Sequence, residues 1–194
     1  STCTLVARQY RDAGIEPTHA IALCMASGII SDTLFLKSPT TTEVDRTILE
    51  WLRQRCSIDL DDFAQTFFEI GSALRTSTPD GVVQEDCKEF IERGIRFSIS
   101  QIEETGFDLF WERKDELLTA LVEYSTQHKL DFSALLVTDV VSNGSLLLLS
   151  RETEAWEEIN YPRIDPGLYA LKNVVSRKKQ LLPLVTQLIQ TAIF

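Results

Sequence analysis

The sequence has little positive charge and no long apolar run, and these two absences exclude whole classes of function. Its 194 residues include 19 Lys and Arg against 29 Asp and Glu, which gives a net charge of −10. Sequence-independent binding to nucleic acid needs a surplus of Lys and Arg, so we expect no nucleic-acid partner. No apolar run approaches the roughly 20 residues that a membrane helix needs, so we expect no membrane partner either.

Cysteine and histidine are also scarce. The four cysteines lie far apart without a C-x-x-C pair, and the two histidines are His19 and His128. This pattern favours free thiols in a reducing compartment and argues against a zinc site, so we expect a cytoplasmic protein. Walker, dinucleotide-binding and G-x-S-x-G motifs are missing from the sequence as well.

The first part of the chain has helical spacing of its apolar residues. It predicts four helices, over residues 2–13, 18–30, 43–55 and 60–73. Residues 74–81 are polar and contain Pro79 and an Asp-Gly pair, which predicts a linker.

The second part mixes strand and helix patterns. Alternating residues predict strands over 86–91 and 95–103, and apolar runs predict strands over 132–141, 145–149 and 168–175. Helices are predicted over 108–128, 152–159 and 178–193, the last containing Pro183 in its first turn. We therefore expect an α/β protein, in which a helical segment is followed by a mixed sheet flanked by helices.

An acid at the end of the second predicted helix is the first candidate for chemistry. Asp32 follows the apolar residues 20–30 and precedes a turn that contains hydroxyls and Lys37. A carboxylate in this place suits a metal or phosphate site. On spacing alone, a second interpretation is favoured, in which Asp32 only accepts hydrogen bonds from nearby backbone N–H groups.

Positive charge is concentrated in one segment, Arg177-Lys178-Lys179. Ser176 can cap the following helix, which places Arg177 and Lys178 in its first turn. Cations there oppose the helix dipole, and a bound phosphate would relieve that cost. A solvated basic turn is the commoner alternative for such a run.

The other charged residues have ordinary interpretations. Lys88 alternates with apolar neighbours, as a strand lysine does. The adjacent acids Glu103 and Glu104 point apart in a strand, so both are expected to be solvated. Asp139 ends an apolar strand, which indicates a role in a turn or in support of a site.

Three stretches together resemble a known family. Residues 27–46 read SGIISDTLFLKSPTTTEVDR, residues 85–90 read EDCKEF, and residues 174–180 read VVSRKKQ. In this order they resemble the manganese-dependent (family II) inorganic pyrophosphatases of the DHH phosphoesterase superfamily. The resemblance covers nearly the whole chain, but only the second half of such an enzyme.

The resemblance implies a domain plan and a set of site residues. Residues 1–73 would be the last helices of the catalytic DHH domain, 74–81 a hinge, and 82–194 the substrate-binding DHHA2 domain. Asp32 would be the last metal ligand, and Lys88, Arg177 and Lys178 would bind the phosphates. The metal would be Mn²⁺ (or Co²⁺, with Mg²⁺ supporting), held mainly by a preceding part. No Asp-His-His triplet occurs here, and the only methionine is Met25, so we expect a piece of a longer protein.

The implied reaction is hydrolysis of pyrophosphate to two phosphates by a metal-activated hydroxide. One alternative is another phosphohydrolase of the superfamily, such as an exopolyphosphatase; the phosphodiesterase branch usually carries a GGGH segment, which is missing here. The other alternative is a non-catalytic anion-binding module, and we expect the isolated chain to be inactive. We also expect a homo-oligomer, since the helices before residue 72 would leave an apolar face exposed.

Overall fold

The computed structural model describes residues 1–191, and the chain divides after Ile70 into two compact units. The first unit is helical, as predicted. Its helices are α1 (Thr2–Asp12), α2 (His19–Thr33), α3 (Glu43–Arg53) and α4 (Leu60–Ile70).

Local capping explains where two of these helices begin. The Thr18 side chain accepts the Ile21 N–H at the start of α2. At α3, Thr42 and Asp45 form a reciprocal capping box, in which the Asp45 carboxylate accepts the Thr42 N–H at 2.8 Å. Asp45 also accepts the Thr4 hydroxyl of α1 at 2.5 Å. Burial raises the pKa of Asp45, but the bonds from Thr4 and Thr42 outweigh it and lower that pKa well below its ordinary value.

Helices α1 and α2 approach each other closely at Gly28. A Cβ built on Gly28 would lie 2.3 Å from the Sγ of Cys3 and 3.1 Å from its Cβ. We expect Gly28→Ala to lower the free energy of unfolding by about 1–3 kcal/mol through overpacking, although alanine favours helix by up to about 1 kcal/mol. In a Cys3→Ala background the same change should cost clearly less, because the Sγ is gone and only the contact of 3.1 Å with the Cβ of residue 3 remains. Urea unfolding of the two single variants and the double variant checks this, and an equal loss in both backgrounds would contradict it.

The second unit contains a six-stranded mixed sheet. Its strands, in the spatial order β1-β2-β3-β4-β6-β5, pair antiparallel except for the parallel β2–β3 pair. The strands are β1 (Lys88–Glu92), β2 (Ile95–Glu104), β3 (Phe132–Asp139), β4 (Gly144–Leu149), β5 (Arg163–Asp165) and β6 (Leu168–Lys172).

Helices cover both faces of this sheet. The helical elements are α5 (Ala73–Thr76), α6 (Pro79–Gln84), α7 (Asp108–Gln127), a 3₁₀ turn (Glu154–Glu158), a π turn (Arg177–Leu181) and α8 (Leu182–Thr191). On one face α5, α6 and α7 pack against residues such as Ile102, Leu135 and Val137. On the opposite face the 3₁₀ turn and α8 pack against Phe97, Phe132 and their neighbours, and the rings of those two residues stack at 5.1 Å. The fold is therefore α/β, with one mixed sheet between two helical layers.

Residues 74–81, where a linker was predicted, include most of α5 and the start of α6, which Thr78 caps and Pro79 opens. Several predicted element boundaries were wrong. The short strand β5 was not predicted, and β6 ends at Lys172 because Asn173 adopts a left-handed conformation (φ 61°). The closing helix opens with the π turn, and its predicted end at Ile193 lies outside the described residues.

Two further sequence predictions concern side chains and membranes. All four cysteines are free, as predicted. Within residues 1–191 no helix is both long and apolar enough to cross a membrane.

Candidate functional site

Lys88 and Arg177 are both neighbours of Ile99 on strand β2, although 89 positions separate them in sequence. Lys88 is the first residue of β1 and pairs with Ile99 of β2. Arg177 Nη1 donates to the backbone oxygen of the same Ile99 at 3.3 Å. Directly opposite residues share a face of the sheet, so Lys88 lies on the face of Ile99, where α8 also packs. The structure therefore brings together two of the three cations for which a phosphate role was predicted.

The guanidinium group of Arg177 is held in a fixed place. Its Nη1 also donates to the backbone oxygen of Asp86, and its Nη2 donates to Asp86 Oδ1 at 3.0 Å. The Arg177 side chain is 13% exposed, whereas Asp86 is 55% exposed. Asp86 was not recognised from the sequence, although it lies inside the EDCKEF stretch, because an acid two residues before a lysine gave no sign of a partner 91 residues away.

The helix start that carries these cations is built as predicted, with one addition. Ser176 caps it by accepting the Lys179 N–H at 3.3 Å. Gln180 closes the turn from the other side, since its Oε1 accepts the N–H groups of Val175 and Ser176 at 2.9 and 3.1 Å. Lys178 lies exposed in this turn. The positive end of the helix dipole and two cations thus coincide at one place, which favours an anion.

Gln101, on β2, links this turn to the sheet and was missed by the sequence analysis. Its Oε1 accepts the Arg177 N–H at 2.8 Å, and its Nε2 donates to the Val175 oxygen at 3.2 Å and to Glu103 Oε1 at 3.1 Å. Gln101 is 9% exposed, so these bonds form away from bulk water. The sequence signal for it was a polar residue on the same face of the predicted strand 95–103 as the apolar Phe97 and Ile99.

The expectation that Glu103 and Glu104 are solvated was wrong. Glu104 is 3% exposed, and Glu103 is partly buried on the opposite face of β2, beside Gln101. Alternation does point the two side chains apart, but both faces of β2 are covered by helices. Burial raises the pKa of the Glu103 carboxyl, and the negative charges of Asp86 and Glu85 raise it further; the Gln101 bond and Arg177 partly oppose this.

This raised pKa predicts a pH-dependent effect of Glu103→Gln. An acid whose pKa is raised by folding stabilises the protein below its ordinary pKa, and that contribution is lost as the pH rises through the folded-state value. Because Gln mimics the protonated acid, the variant should melt at a higher temperature than the parent at pH 8 and at a similar one at pH 4. Thermal melts at both pH values test this, with Glu112→Gln on the exposed face of α7 as the control. If the melting temperatures of the variant and the parent differ equally at pH 4 and pH 8, the predicted pH dependence is wrong.

Asp139 has the turn role that its position indicated. Its carboxylate accepts the N–H groups of Gly106, Val141 and Ser142 at 3.0, 2.9 and 3.1 Å. The turn that it fixes contains Asn143, whose backbone oxygen accepts the Asn173 N–H at 3.0 Å. Asp139 therefore supports the segment that leads to Arg177 without contacting it.

Asp32 lies in the first unit, in the last turn of α2, and its side chain is exposed. Its Oδ2 accepts the Ser1 hydroxyl at 2.6 Å. The three residues 34–36 that follow α2 are all left-handed, with φ of 48°, 50° and 67°. A carboxylate near the negative end of a helix dipole is unfavourable by itself, and a bound cation would relieve that cost.

A metal fits Asp32 only as one ligand among several. Among residues 1–191 there is no group of three or more His, Cys, Asp and Glu side chains that could hold a metal ion. A manganese or cobalt ion takes several ligands, of which a carboxylate is a suitable one. Asp32 can therefore supply one oxygen ligand, and the remaining ligands must come from elsewhere.

These features define a class: an α/β domain whose cations gather at the N-terminus of one helix, beside the central residues of strand β2. The chain belongs to the DHHA2 domain family, which matches residues 65–188.

Curated relatives agree along almost the whole chain. A cobalt-dependent inorganic pyrophosphatase of Clostridium perfringens is 31% identical over 194 residues, which are 100% of this chain and 35% of that protein. A protein of Lactobacillus acidophilus named "Probable manganese-dependent inorganic pyrophosphatase" is 33% identical over 188 residues, 95% of this chain and 60% of its own length. The chain thus spans less than two thirds of these relatives.

A solved structure has the same fold. The crystal structure of a Methanococcus jannaschii protein, described as a proposed family II inorganic pyrophosphatase, superposes with a TM-score of 0.79 at 27% identity. The match covers 98% of this chain and 64% of that one.

Proposed function

We propose that this chain is the substrate-binding part of a family II inorganic pyrophosphatase, which hydrolyses pyrophosphate to two phosphates. The observation that carries this proposal is that Lys88 and Arg177 are both neighbours of Ile99, while Lys178 lies in the same capped turn as Arg177. The reaction is taken from the names of the relatives. The positive charge at the helix N-terminus suits the binding of the phosphate groups in that reaction.

In this proposal each cation has a distinct task. Arg177 is rigidly held and orients one phosphoryl group through its planar fork of N–H donors. Lys88 and Lys178 are exposed, and they neutralise phosphoryl oxygens as mobile point charges. Positioning and charge neutralisation are the main help that protein groups give to phosphoryl transfer.

Asp32 would supply one ligand to the divalent metal, Mn²⁺ or Co²⁺ with Mg²⁺ supporting. When bound, such a metal lowers the pKa of a coordinated water and so provides the attacking hydroxide at neutral pH. The other ligands would come from the part of the relatives that this chain does not cover. The proposal also keeps the predicted order of a DHH part followed by a DHHA2 part, a homo-oligomeric state and a cytoplasmic location. Its partner is pyrophosphate or phosphate rather than nucleic acid.

Two other functions remain as outcomes of the test: polyphosphate or phosphodiester hydrolysis, and anion binding without catalysis. The experiment is to purify the full-length protein that contains this chain, load it with Mn²⁺, Co²⁺ or Mg²⁺, and compare phosphate release from pyrophosphate, long-chain polyphosphate and a dinucleotide. We expect pyrophosphate to be the best substrate by at least about tenfold, a difference of about 1.4 kcal/mol in transition-state binding. Faster hydrolysis of polyphosphate or of the dinucleotide would overturn the proposal, as would binding of pyrophosphate without turnover.

A further inference from the structure

The guanidinium group of Arg177 has five N–H donors, and the structure accounts for three of them. Nη1 uses both of its protons, on the backbone oxygens of Asp86 and Ile99, and Nη2 uses one on Asp86 Oδ1. Among the described residues no acceptor takes Nε–H or the second Nη2–H. Nη1 and Nη2 both bond to Asp86, so Asp86 occupies the end of the guanidinium group that these two nitrogens form. The two remaining N–H groups lie on the side formed by Nε and Nη2.

That remaining edge is a fork. Nε–H and Nη2–H point in parallel, which is the geometry that binds two oxygens of one phosphate or carboxylate. The backbone of the same residue is fixed as well, because its N–H donates to Gln101 Oε1 at 2.8 Å. The residue is thus held at both ends, and only the fork is free.

We propose that Asp86 and Gln101 are positioning residues that hold Arg177 with this single edge presented to a phosphoryl group. Asp86 acts on the guanidinium group and Gln101 on the backbone of the π turn. This inference rests on the proposed function and deepens it, since it assigns the pyrophosphate-binding edge of Arg177 and the groups that orient it.

Charge and position both support a positioning role for Asp86 rather than a merely structural one. Asp86 is 55% exposed, so burial does not explain an acid there. Its left-handed backbone (φ 38°) suits Asn as well as Asp, so the negative charge is accounted for by the pair with Arg177. It lies two residues before Lys88, in the segment that joins α6 to β1. The pair with Arg177 therefore ties together the two segments that carry the predicted phosphate-binding cations.

The test is a double-mutant cycle in the full-length protein. Asp86→Ala alone should lower kcat/KM for pyrophosphate about tenfold, because the guanidinium group of Arg177 is then no longer held in the orientation that binds the phosphoryl group. Asp86→Asn keeps an acceptor oxygen and should cost less than about threefold. In an Arg177→Ala background, Asp86→Ala should change kcat/KM by less than about twofold, since nothing is left to orient.

A second readout does not depend on catalysis. Calorimetry measures the binding of imidodiphosphate, a non-hydrolysable pyrophosphate analogue, to the parent, the Asp86→Ala and Arg177→Ala variants and the double variant. Asp115→Ala, which removes an exposed acid on α7, serves as the control. The dissociation constant should follow the same non-additive pattern, and the control should match the parent. Gln101→Ala should resemble Asp86→Ala, with thermal melts to check that it folds.

The outcomes separate the two proposals. If the protein hydrolyses no pyrophosphate but the variants affect analogue binding non-additively, the proposed function is wrong and the positioning roles are supported. Equal effects of Asp86→Ala with and without Arg177 would overturn the positioning roles and leave the proposed function intact. A parent protein that does not bind the analogue at all would overturn both.

Discussion

Replacing Arg177 by alanine should lower kcat/KM for pyrophosphate about 10²–10³-fold in the full-length protein, which corresponds to roughly 3–4 kcal/mol of transition-state stabilisation. The size follows from the way the residue is held. A donor that is 13% exposed and bonded to Asp86 and Ile99 loses little entropy when it binds a phosphoryl group, so most of the interaction energy is available in the transition state.

Two further variants show which property of Arg177 is responsible. Arg177→Lys keeps the charge but has no planar fork, so it should recover only a small part of the lost activity. Arg96→Ala removes an exposed arginine from β2 of the same unit and should leave kcat/KM within about twofold of the parent. Steady-state kinetics with saturating Mn²⁺ measures all three. A loss for Arg177→Ala no larger than that for Arg96→Ala would show that Arg177 does not bind the substrate.

Lys88 should behave differently from Arg177. Its side chain is exposed at the start of the edge strand β1, and its charge must be ordered when substrate binds. Because Lys88 is exposed whereas Arg177 is largely buried, we expect Arg177→Ala to lower kcat/KM more than Lys88→Ala does.

The parts of the fold that the sequence predicted well are those determined by neighbouring residues. Thr18, Thr42 and Ser176 cap helices because their side chains reach N–H groups three positions ahead, and such patterns are visible in the sequence. The strands β3 and β4 were likewise predicted by their apolar runs and by the Asn143-Gly144 turn.

The partners of the candidate site could not be predicted in the same way. Asp86 and Gln101 reach Arg177 across 91 and 76 residues, and no local pattern encodes contacts at that distance. The burial of Glu103 and Glu104 was missed for a related reason. Alternation shows that neighbouring strand residues point to opposite faces, but not that helices cover both faces.

The segment at 71–84 illustrates a third limit, and it leads to the second large prediction. Within it, residues 74–81 were predicted as a linker from Pro79, the Asp-Gly pair and the polar residues, yet the segment contains the helices α5 and α6. Glu104 at the end of β2 anchors it, since its carboxylate accepts the Ser72 hydroxyl at 2.7 Å and the Leu74 N–H at 3.1 Å. Both bonds are buried, so their loss cannot be compensated by bulk water.

We expect Glu104→Ala to lower the free energy of unfolding by about 3 kcal/mol, because two buried donors are left without an acceptor. Glu104→Gln should cost less than about 1 kcal/mol, since its amide oxygen can accept the Leu74 N–H while its NH₂ donates to the Ser72 hydroxyl, which can also accept. Glu123→Ala, which truncates an exposed acid on α7, should stay within about 0.5 kcal/mol of the parent. Chemical denaturation of the three variants gives these values directly.

Limited proteolysis then distinguishes an anchored segment from a flexible linker. If Glu104 holds α5, the parent should resist cleavage within residues 71–84, and Glu104→Ala should be cut there several times faster, because loss of the anchor raises the population of locally opened forms. A true linker would be cut at the same rate in both proteins. Since α6 leads directly through Asp86 to Lys88, release of this segment should also weaken analogue binding, whereas Glu123→Ala should change neither cleavage nor binding.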